Sequence, residues 1–335
     1  MISIALCTYN GEKFLPEQLQ SILVQTCLPD ELVVCDDCSS DRTVEILREF
    51  KKKAPFPVHI HQNEINLGST KNFKKAIQLC TGDIIALCDQ DDVWKAHKLE
   101  KLAEALHSNP EAGYTFSDAD LVDENLVSIG CRLWNSYSFM GKYKKLFFQG
   151  EQFSCLARMN VVTGATMAFR ASIGKIALSF QNWEENWIHD EWIAIISSAL
   201  SHPGIPVDEA LIFYRVHIKQ QVGVPFTQNK RTLMGLFQRE MKLSHQYRIA
   251  FWNRHCLRIL KLKEILQQQV RINSSVELKQ NLNYLQEYQI FVSNRNKILP
   301  SKGLVRYHLI FREAFSGRYA KFSNSWRTMF KDLFF

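Results

Sequence analysis

The stretch GDIIALCDQDDVW, residues 82–94, decides the fold expected for this chain. Its first eight residues are mainly apolar and β-branched, which predicts a buried strand, and the strand runs into Asp89, Asp91 and Asp92. Three carboxylates so close together repel one another unless a cation or strong hydrogen-bond donors neutralise them. Mg²⁺ or Mn²⁺, held by a few oxygen ligands and substrate phosphates, suits such a group. The alternative is an acidic N-terminal cap on a helix that begins near Val93.

Short β-type runs and helical patterns alternate around this stretch. Strands are expected at 2–7, 31–37, 58–63, 82–89 and 113–122, and helices at 14–25, 41–53, 69–80 and 95–107. Further along, residues 163–170 and 209–217 are expected to form strands and residues 189–200 a helix. The alternation predicts an α/β protein with βαβ units and a mostly parallel sheet flanked by helices. Ligands of such sheets bind beyond the carboxyl ends of the strands.

Two other predicted strands also end in polar residues. The first runs into the sequence CTYN at 7–10, and the second ends in Asp36 and Asp37. The aspartate pair could accept hydrogen bonds from the base or ribose of a nucleotide, or it could belong to a turn, because DDCSSD is rich in turn-forming residues. Neither GxxxxGK[ST] nor GxGxxG occurs, which argues against P-loop NTPases and ordinary Rossmann dehydrogenases.

Charge divides the chain into two parts. The 335 residues are 46% hydrophobic and 12% aromatic, which excludes intrinsic disorder and low-complexity sequence. Residues 1–227 carry 21 lysines and arginines against 28 acidic residues, whereas residues 228–335 carry 20 against 6. This change of sign predicts two parts that face different partners.

Cysteine usage and the start of the chain bear on localisation. The nine cysteines lie mostly in apolar runs, which suits free buried thiols in a reducing compartment. The start MISIALCTYN lacks the basic and then apolar pattern of a signal peptide, and no apolar run is long enough to span a bilayer. We expect a cytoplasmic protein, or one held peripherally on the cytoplasmic face of the inner membrane.

Four motifs in register resemble family-2 glycosyltransferases of the Rossmann-like GT-A fold. They are CTYN at 7–10, DDCSSD at 36–41, NLG at 66–68 and DQDD at 89–92. The segments DQDDVW, HDEW and YRVH are similar to segments of bacterial rhamnosyltransferases of O-antigen or capsule synthesis. The resemblance implies a GT-A catalytic domain over 1–227, in which 1–110 binds the nucleotide sugar and 111–227 forms the acceptor side.

The resemblance also implies roles on the donor side. Residues expected to bind the nucleotide sugar are Thr8, Tyr9, Asn10, Asp36, Asp37, Gly68, Lys71, Asp89 and Arg215. Among them, Tyr9 would stack on a pyrimidine base and Asp37 would accept a hydrogen bond from it, with Asp36 in support. Asp91, Asp92 and His217 would hold Mn²⁺ or Mg²⁺ on the donor diphosphate, although a solitary histidine is often structural.

On the acceptor side, Asp190 in the sequence HDEW is expected to be the catalytic base that deprotonates an acceptor hydroxyl. His189 stands where family members usually carry Glu, which leaves Glu191 as a rival for that role. Gly164 resembles the glycine of an acceptor loop, and Trp192 is also expected on the acceptor side. The alternative for the HDEW segment is that its acidic residues simply favour a helix start.

Residues 228–335 are expected to form basic amphipathic helices, with clear patterns at 255–270 and 303–315. These helices could lie on an anionic membrane surface, near a lipid-linked acceptor, or pack on the catalytic domain with a solvated basic face. Because no nucleic-acid-binding motif accompanies the basic charge, we expect no nucleic-acid partner.

The function expected from these observations is that of an inverting, metal-dependent glycosyltransferase. It would use a dTDP- or UDP-sugar, with rhamnose as the preferred donor sugar, and a glycan or lipid-linked glycan acceptor. The first alternative is a non-catalytic α/β protein whose basic tail binds nucleic acid or membrane. The second is a sugar nucleotidyltransferase, although CTYNGEKF is a poor match to the glycine-rich basic loop of those enzymes.

Overall fold

The computed structural model describes residues 1–136, 139, 141–217, 220, 245–272, 275–323 and 326–334. The chain divides into two compact units, Met1–Phe226 and Thr227–Phe335. The boundary predicted between residues 227 and 228 lies outside the described residues, as do residues 231–244 of the predicted helical region.

Within the described part of the first unit, nine strands form one sheet. The strands are β1 (Ile2–Thr8), β2 (Glu31–Asp36), β3 (Val58–Gln62), β4 (Ile84–Asp89), β5 (Val93–Trp94), β6 (Tyr114–Val122), β7 (Ser128–Arg132), β8 (Met167–Arg170) and β9 (Gly204–Arg215). Their order across the sheet is β3-β2-β1-β4-β8-β6-β9-β5, and β7 pairs with β6.

The helices of the first unit lie between these strands. They are α1 (Leu15–Leu23), α2 (Thr43–Lys51), α3 (Ser69–Leu79), α4 (Lys98–His107), α5 (Leu133–Ser136), α6 (Lys142–Phe148), α7 (Gln152–Leu156), α8 (Ala171–Ser179) and α9 (His189–Ala199). Two 3₁₀ helices, Gly164–Thr166 and Trp183–Glu185, precede β8 and α9.

Parallel pairing joins β3, β2, β1 and β4, as the alternating sequence pattern predicts. Beyond β4 the sheet is mixed: β8 pairs antiparallel with β4 and β6, and β9 pairs parallel with β6 but antiparallel with β5. Every residue of β1 and β2 is buried, because apolar side chains cover both faces of these central strands. The predicted α/β class, with a sheet flanked by helices, is confirmed.

Register brings three polar strand ends to one edge of the sheet. Thr8 of β1 lies beside Asp36 of β2, and Cys7 of β1 lies beside Asp89 of β4. Because parallel strands end together, the polar residues that follow them are gathered at this edge.

The acidic residues after β4 do not cap a helix. Val93 and Trp94 form the short strand β5, in which Val93 lies beside Phe213 of β9. The next helix, α4, begins only at Lys98. The N-cap alternative for the acidic cluster is therefore wrong.

The described residues of the second unit form helices joined by short turns. Its helices are α10 (His245–Ile272), α11 (Val276–Ile298), α12 (Gly303–Phe315), α13 (Arg318–Phe322) and α14 (Trp326–Phe334). The segments predicted at 255–270 and 303–315 lie within α10 and α12. A buried pair between Arg295 and Asp332 ties α11 to α14. Among the described helices, none has the length and apolar character needed to cross a bilayer.

Candidate active site

A cavity of about 710 Å³ is lined by the residues that follow β1, β2 and β4 together with residues of the later half of the first unit. The structure brings ten of the predicted residues to it: Thr8, Tyr9, Asn10, Asp37, Gly68, Asp89, Asp91, Gly164, Asp190 and His217. Six predicted residues lie outside its lining: Asp36, Lys71, Asp92, Glu191, Trp192 and Arg215. Residues that are more than a hundred positions apart in the sequence therefore line the same cavity.

Asp37 holds the loop that follows β3. Its Oδ1 accepts hydrogen bonds from the Leu67 backbone N–H and the Asn63 amide, both at 2.8 Å, and its Oδ2 accepts one from the Gly68 N–H at 2.8 Å. Gly68 has φ +79°, a conformation that costs a side-chain-bearing residue strain. The NLG motif is thus fixed against Asp37 of the acidic pair.

Tyr9 presents a half-exposed ring to the cavity, and Gln90 holds its backbone. The Tyr9 N–H donates to Gln90 Oε1 at 2.8 Å, and Gln90 Nε2 donates to the Tyr9 carbonyl at 3.0 Å. A Cβ on Gly11 would lie 2.2 Å from Gln90 Oε1, so a larger residue here would have to displace the Gln90 amide. Gln90 is not among the residues predicted from the sequence. The signal for it was its position directly after Asp89, which lies beside Cys7 of β1 in the sheet.

Asp36 lies outside the cavity lining and stabilises the ends of β1 and β2. Its fully buried carboxylate accepts hydrogen bonds from the Thr8 hydroxyl at 2.9 Å and from the Ser39 hydroxyl and N–H. These bonds fix the ends of β1 and β2 to each other. The contacts fit a supporting role for Asp36, whereas Lys71 is exposed and lies away from the lining.

Asp91 and His217 form a carboxylate–imidazole pair in the cavity, with Asp91 Oδ2 and His217 Nε2 2.8 Å apart. Nearby, burial and the charges of Asp91 and Asp190 raise the pKa of Asp89 to about 7. Among the described residues no cluster of three or more His, Cys, Asp or Glu side chains is poised to hold a metal. A site with two protein ligands still suits Mg²⁺ or Mn²⁺, which keep several waters and take further ligands from substrate phosphates.

Asp92 and Arg215 lie behind the acidic cluster. The Arg215 N–H donates to Asp92 Oδ1 at 3.0 Å, and its guanidinium donates to the Asp91 carbonyl at 2.8 Å, the Glu124 carbonyl and the Glu17 carboxylate. Both side chains are almost fully buried. The structure therefore does not bring Asp92, a predicted metal ligand, or Arg215, a predicted nucleotide-sugar contact, to the cavity. The two residues hold the Asp91 segment in place instead.

Lys98, which the sequence pattern placed only within a predicted helix, is fully buried close to Asp92 and Asp89. Its Nζ donates to the Ala165 carbonyl at 2.7 Å and lies 3.4 Å from the centre of the Trp94 ring. Burial lowers the pKa of this amine to about 7, while the charges of Asp92 and Asp89 oppose that shift. Lys98 thus connects the acidic strand end with the loop that contains Gly164.

Asp190, in the first turn of α9, is fixed by two backbone donors. Its Oδ2 accepts from the Gly164 N–H and its Oδ1 from the Glu191 N–H, both at 2.6 Å. Burial raises the pKa of Asp190 to about 6, although these hydrogen bonds act in the opposite direction. A Cβ on Gly164 would lie 3.3 Å from Asp190 Oδ2, so glycine lets the loop approach the carboxylate closely.

The two residues after Asp190 point elsewhere. Trp192 is fully buried, donates from Nε1 to the Ala177 carbonyl at 2.8 Å, and stacks on Trp183 with ring centroids 5.8 Å apart. Glu191 is buried outside the cavity lining. Trp192 is thus a core residue, and of the neighbouring acids only Asp190 reaches the cavity.

His189 also lines the cavity, although only 7% of it is exposed. Its ring stacks on Phe73 of α3, with centroids 4.0 Å apart and planes 19° from parallel. Neither ring nitrogen has a hydrogen-bond partner among the described residues. Burial lowers the pKa of His189 to about 3, so the imidazole is neutral.

Solved structures share this fold. TarS 1–349 of S. aureus, in complex with UDP-GlcNAc, matches with a TM-score of 0.54 and 17% identity over 98% of this chain and 90% of that one. The mannosyltransferase PcManGT of Pyrobaculum calidifontis, in complex with GDP-Man and Mn²⁺, matches with a TM-score of 0.53 and 16% identity over 99% of this chain and 84% of that one. At these identities the likeness concerns the fold alone.

Sequence comparisons identify the family. The putative teichuronic acid biosynthesis glycosyltransferase TuaG of Bacillus subtilis is 33% identical over 104 residues, which cover 31% of this chain and 41% of TuaG. Among curated relatives the matched segment spans as little as 36% of the relative's own length. The sequence model for glycosyl transferase family 2 matches residues 3–175, just over half of the chain. The chain therefore belongs to glycosyl transferase family 2.

Proposed function

We propose that this chain transfers a sugar from a nucleoside-diphosphate sugar to a hydroxyl of a growing cell-surface polysaccharide, with inversion at the anomeric carbon. One observation carries the proposal: a single cavity holds polar groups suited to a nucleotide (Tyr9, Asp37), a carboxylate–imidazole pair (Asp91, His217) and a buried base (Asp190). Family membership and the fold shared with nucleotide-sugar-bound enzymes support it.

Asp91 and His217 are the residues that would hold a divalent cation, Mn²⁺ or Mg²⁺. When bound, such an ion supplies positive charge for the donor diphosphate and so favours its departure. The Mn²⁺ in the related mannosyltransferase structure supports this choice. Arg215 and Asp92 keep the Asp91 segment in place through the hydrogen bonds described above.

Asp190 would act as the general base. Its carboxylate takes the proton of the acceptor hydroxyl while that oxygen attacks the anomeric carbon, and the bond to the nucleoside diphosphate breaks with its electron pair on the diphosphate. A single displacement of this kind inverts the anomeric configuration. With a pKa of about 6, Asp190 is ionised at neutral pH yet basic enough to accept the proton.

On the donor side, the exposed ring of Tyr9 would stack on the base and Asp37 would accept a hydrogen bond from it. A UDP- or dTDP-sugar fits these roles, and the UDP-GlcNAc complex of TarS supports a uridine donor. dTDP-rhamnose is the first donor sugar to test, since the DQDDVW, HDEW and YRVH segments resemble rhamnosyltransferases.

The acceptor would be a glycan or a lipid-linked glycan at an anionic membrane surface. The teichuronic acid role printed for TuaG supports a polysaccharide product. Helix α12 displays apolar side chains to solvent: Leu304 is 87% exposed and Phe315 91%. Its one acidic residue, Glu313, is fully buried in an ion pair with Arg318, so the exposed face is apolar and cationic. Such a face suits binding to anionic lipid.

Nucleotide binding separates this function from its rivals. The melting temperature of the full chain should rise with UDP or dTDP in the presence of Mn²⁺ and should rise less in EDTA. A non-catalytic binding protein would show no such stabilisation. A sugar nucleotidyltransferase would instead form a nucleotide sugar from a sugar 1-phosphate and a nucleoside triphosphate, so formation of that product would contradict the proposal.

A further inference from the structure

We propose that Lys98 is a positioning residue for the general base Asp190. Its amine would act through three hydrogen bonds in series, which cross the turn formed by residues 163–166 and end on the Asp190 carboxylate. Lys98 would thereby hold the turn against the base and favour the ionised form of the carboxylate. This inference rests on the proposed function and adds to it a residue that lies outside the cavity lining.

The hydrogen bonds of the turn follow one another from end to end. Lys98 Nζ donates to the Ala165 carbonyl at 2.7 Å. The peptide group that contains this carbonyl donates its Thr166 N–H to the Thr163 carbonyl at 2.9 Å. The peptide group that contains the second carbonyl donates its Gly164 N–H to the carboxylate of the base at 2.6 Å. Two peptide groups therefore connect the lysine with the carboxylate.

Hydrogen bonds arranged in this way strengthen one another, because each donor polarises the peptide group that donates next. Lys98, Ala165 and Thr166 are fully buried, so water does not replace a bond that is lost. The last bond of the series, from Gly164, is one of those that oppose the rise of the Asp190 pKa caused by burial. Whatever strengthens this donor therefore favours the ionised base.

The first bond of the series also fixes the position of the turn. Without the Lys98 amine, the Ala165 carbonyl would lose a donor in a fully buried place, which is unfavourable. The turn would move toward another donor, and the neighbouring Gly164 N–H would move with it. Since that N–H lies 2.6 Å from Asp190 Oδ2, even a small displacement weakens the bond to the base.

Titratable groups surround both ends of the series, and they are Cys88, Asp89, Asp92 and His189. Asp89 is close enough to both Lys98 and Asp190 for its charge to act on each of them. Loss of the lysine would therefore change the charge around Asp89 as well as the turn. A test has to separate these two effects.

The pKa of Asp190 can be measured directly, from the ¹³Cγ chemical shift of the metal-free full chain labelled in its aspartates. Asp190→Asn identifies the signal. Lys98→Met keeps the length and apolar stem of the side chain but removes the donor. It should raise the pKa of Asp190 by about half a unit or more, because the Gly164 N–H then bonds the carboxylate less well.

A second variant changes the series without changing any charge. The Thr166 hydroxyl donates to the Thr163 carbonyl at 2.8 Å, and Thr166→Val removes this bond. It should raise the pKa of Asp190 as well, by a smaller amount. Lys95→Met is the matched control, because it removes a lysine three residues earlier that pairs with Asp120 at 2.6 Å. It should leave the pKa of Asp190 unchanged.

Kinetics show whether the effect reaches the reaction. Release of nucleoside diphosphate from UDP-N-acetylglucosamine and dTDP-rhamnose is followed with Mg²⁺ at pH 7. Lys98→Met should lower kcat several-fold, because the base is less ionised and less well placed. The Kd for UDP should stay within about twofold of wild type, since the proposed nucleotide contacts lie elsewhere in the cavity. A larger loss in Kd than in kcat would overturn the assignment to the base.

An unchanged Asp190 pKa in Lys98→Met would overturn the inference. So would a shift in Lys98→Met that is absent in Thr166→Val or equalled in Lys95→Met, because charge and not the turn would then explain it. If Lys98→Met does not fold, Thr166→Val decides alone. All these outcomes leave the proposed function intact. If wild type releases no diphosphate from any nucleotide sugar, the proposed function fails, and the role of Lys98 in catalysis fails with it.

Discussion

Oδ2 of Asp91 lies 2.8 Å from Nε2 of His217, although the two residues are 126 positions apart in the chain. Asp91 follows strand β4, and His217 follows strand β9, at the far side of the sheet order. The fold thus builds a carboxylate–imidazole pair from two separate segments.

Asp91→Asn and His217→Gln should each weaken Mn²⁺-dependent binding of UDP or dTDP, because each removes one proposed ligand. We expect a loss of at least about tenfold for either variant, or about 1.4 kcal/mol. The double variant should lose less than the sum of the two, because both act on one ion. Calorimetry with and without Mn²⁺ measures these values. Asp208→Asn, at an exposed acid away from the cavity, is the matched control and should bind normally.

Transfer activity should fall on the acid side of neutrality. Because burial raises the pKa of Asp190 to about 6, the base becomes protonated as the pH drops through that value, and kcat/KM should decline with the loss of one proton-accepting group. Asp190→Asn should lower kcat on the order of 10²–10⁴-fold. Glu191→Gln should keep most activity, since Glu191 lies outside the cavity lining. Equal losses in both variants would contradict the assignment of the base.

The same carboxyl group makes stability depend on pH. In the folded chain its pKa is raised from 3.8 to about 6, so the folded state holds this proton more tightly than the unfolded state does. The resulting stabilisation is complete below about pH 3.8 and is lost as the pH rises through about 6. We therefore compare the unfolding free energies of wild type and Asp190→Asn. The difference, wild type minus variant, should fall by up to about 3 kcal/mol from about pH 4 to pH 7. Denaturant titrations at several pH values measure it; a difference that rises with pH would refute the burial argument.

Two glycines should have separable effects. Gly164→Ala places a Cβ 3.3 Å from Asp190 Oδ2, so we expect kcat to fall while the Kd for UDP or dTDP stays unchanged. Gly68→Ala forces alanine into φ +79° in the loop bonded to Asp37, so we expect weaker nucleotide binding. Steady-state kinetics and nucleotide titrations on both variants distinguish the effects. The same Kd loss in both would mean that Gly164 acts on the donor rather than on the base.

The exposed face of α12 should bind anionic vesicles. Phe311 and Phe315 are 51% and 91% exposed, so a double change to serine should reduce co-flotation with phosphatidylglycerol vesicles at least several-fold. Ile272→Ser with Val276→Ser is the matched control, because these residues are 80% and 72% exposed but lie outside α12. Activity on a soluble acceptor should not change in either protein. Flotation that is unaffected by the α12 changes would exclude this face as the membrane contact.

Much of the site could be predicted because strand ends are local features. The buried runs before Thr8, Asp36 and Asp89 fix where each strand stops, and parallel order then gathers the residues that follow. Gly164 and Asp190, both expected on the acceptor side, lie together, since the Gly164 N–H donates to Asp190 Oδ2 at 2.6 Å.

Other features depend on pairings that the sequence does not display. Arg215 and Asp92 are 123 positions apart, and the antiparallel pairing of β9 with β5 brings the Arg215 backbone N–H to the Asp92 carboxylate. The burial of Lys98 and the stacking of His189 on Phe73 likewise arise from tertiary packing. Local residue patterns do not distinguish such side chains from exposed ones.

The most direct test of the account is release of nucleoside diphosphate from a panel of UDP-, dTDP- and GDP-sugars by the purified full chain. The account predicts that Mn²⁺ or Mg²⁺ supports turnover of at least one of these donors, and that EDTA, Asp91→Ala or Asp190→Ala abolishes it in protein that still melts cooperatively. Turnover that persists in EDTA and in Asp91→Ala, or a panel in which no nucleotide sugar is bound or consumed with either metal, would contradict it.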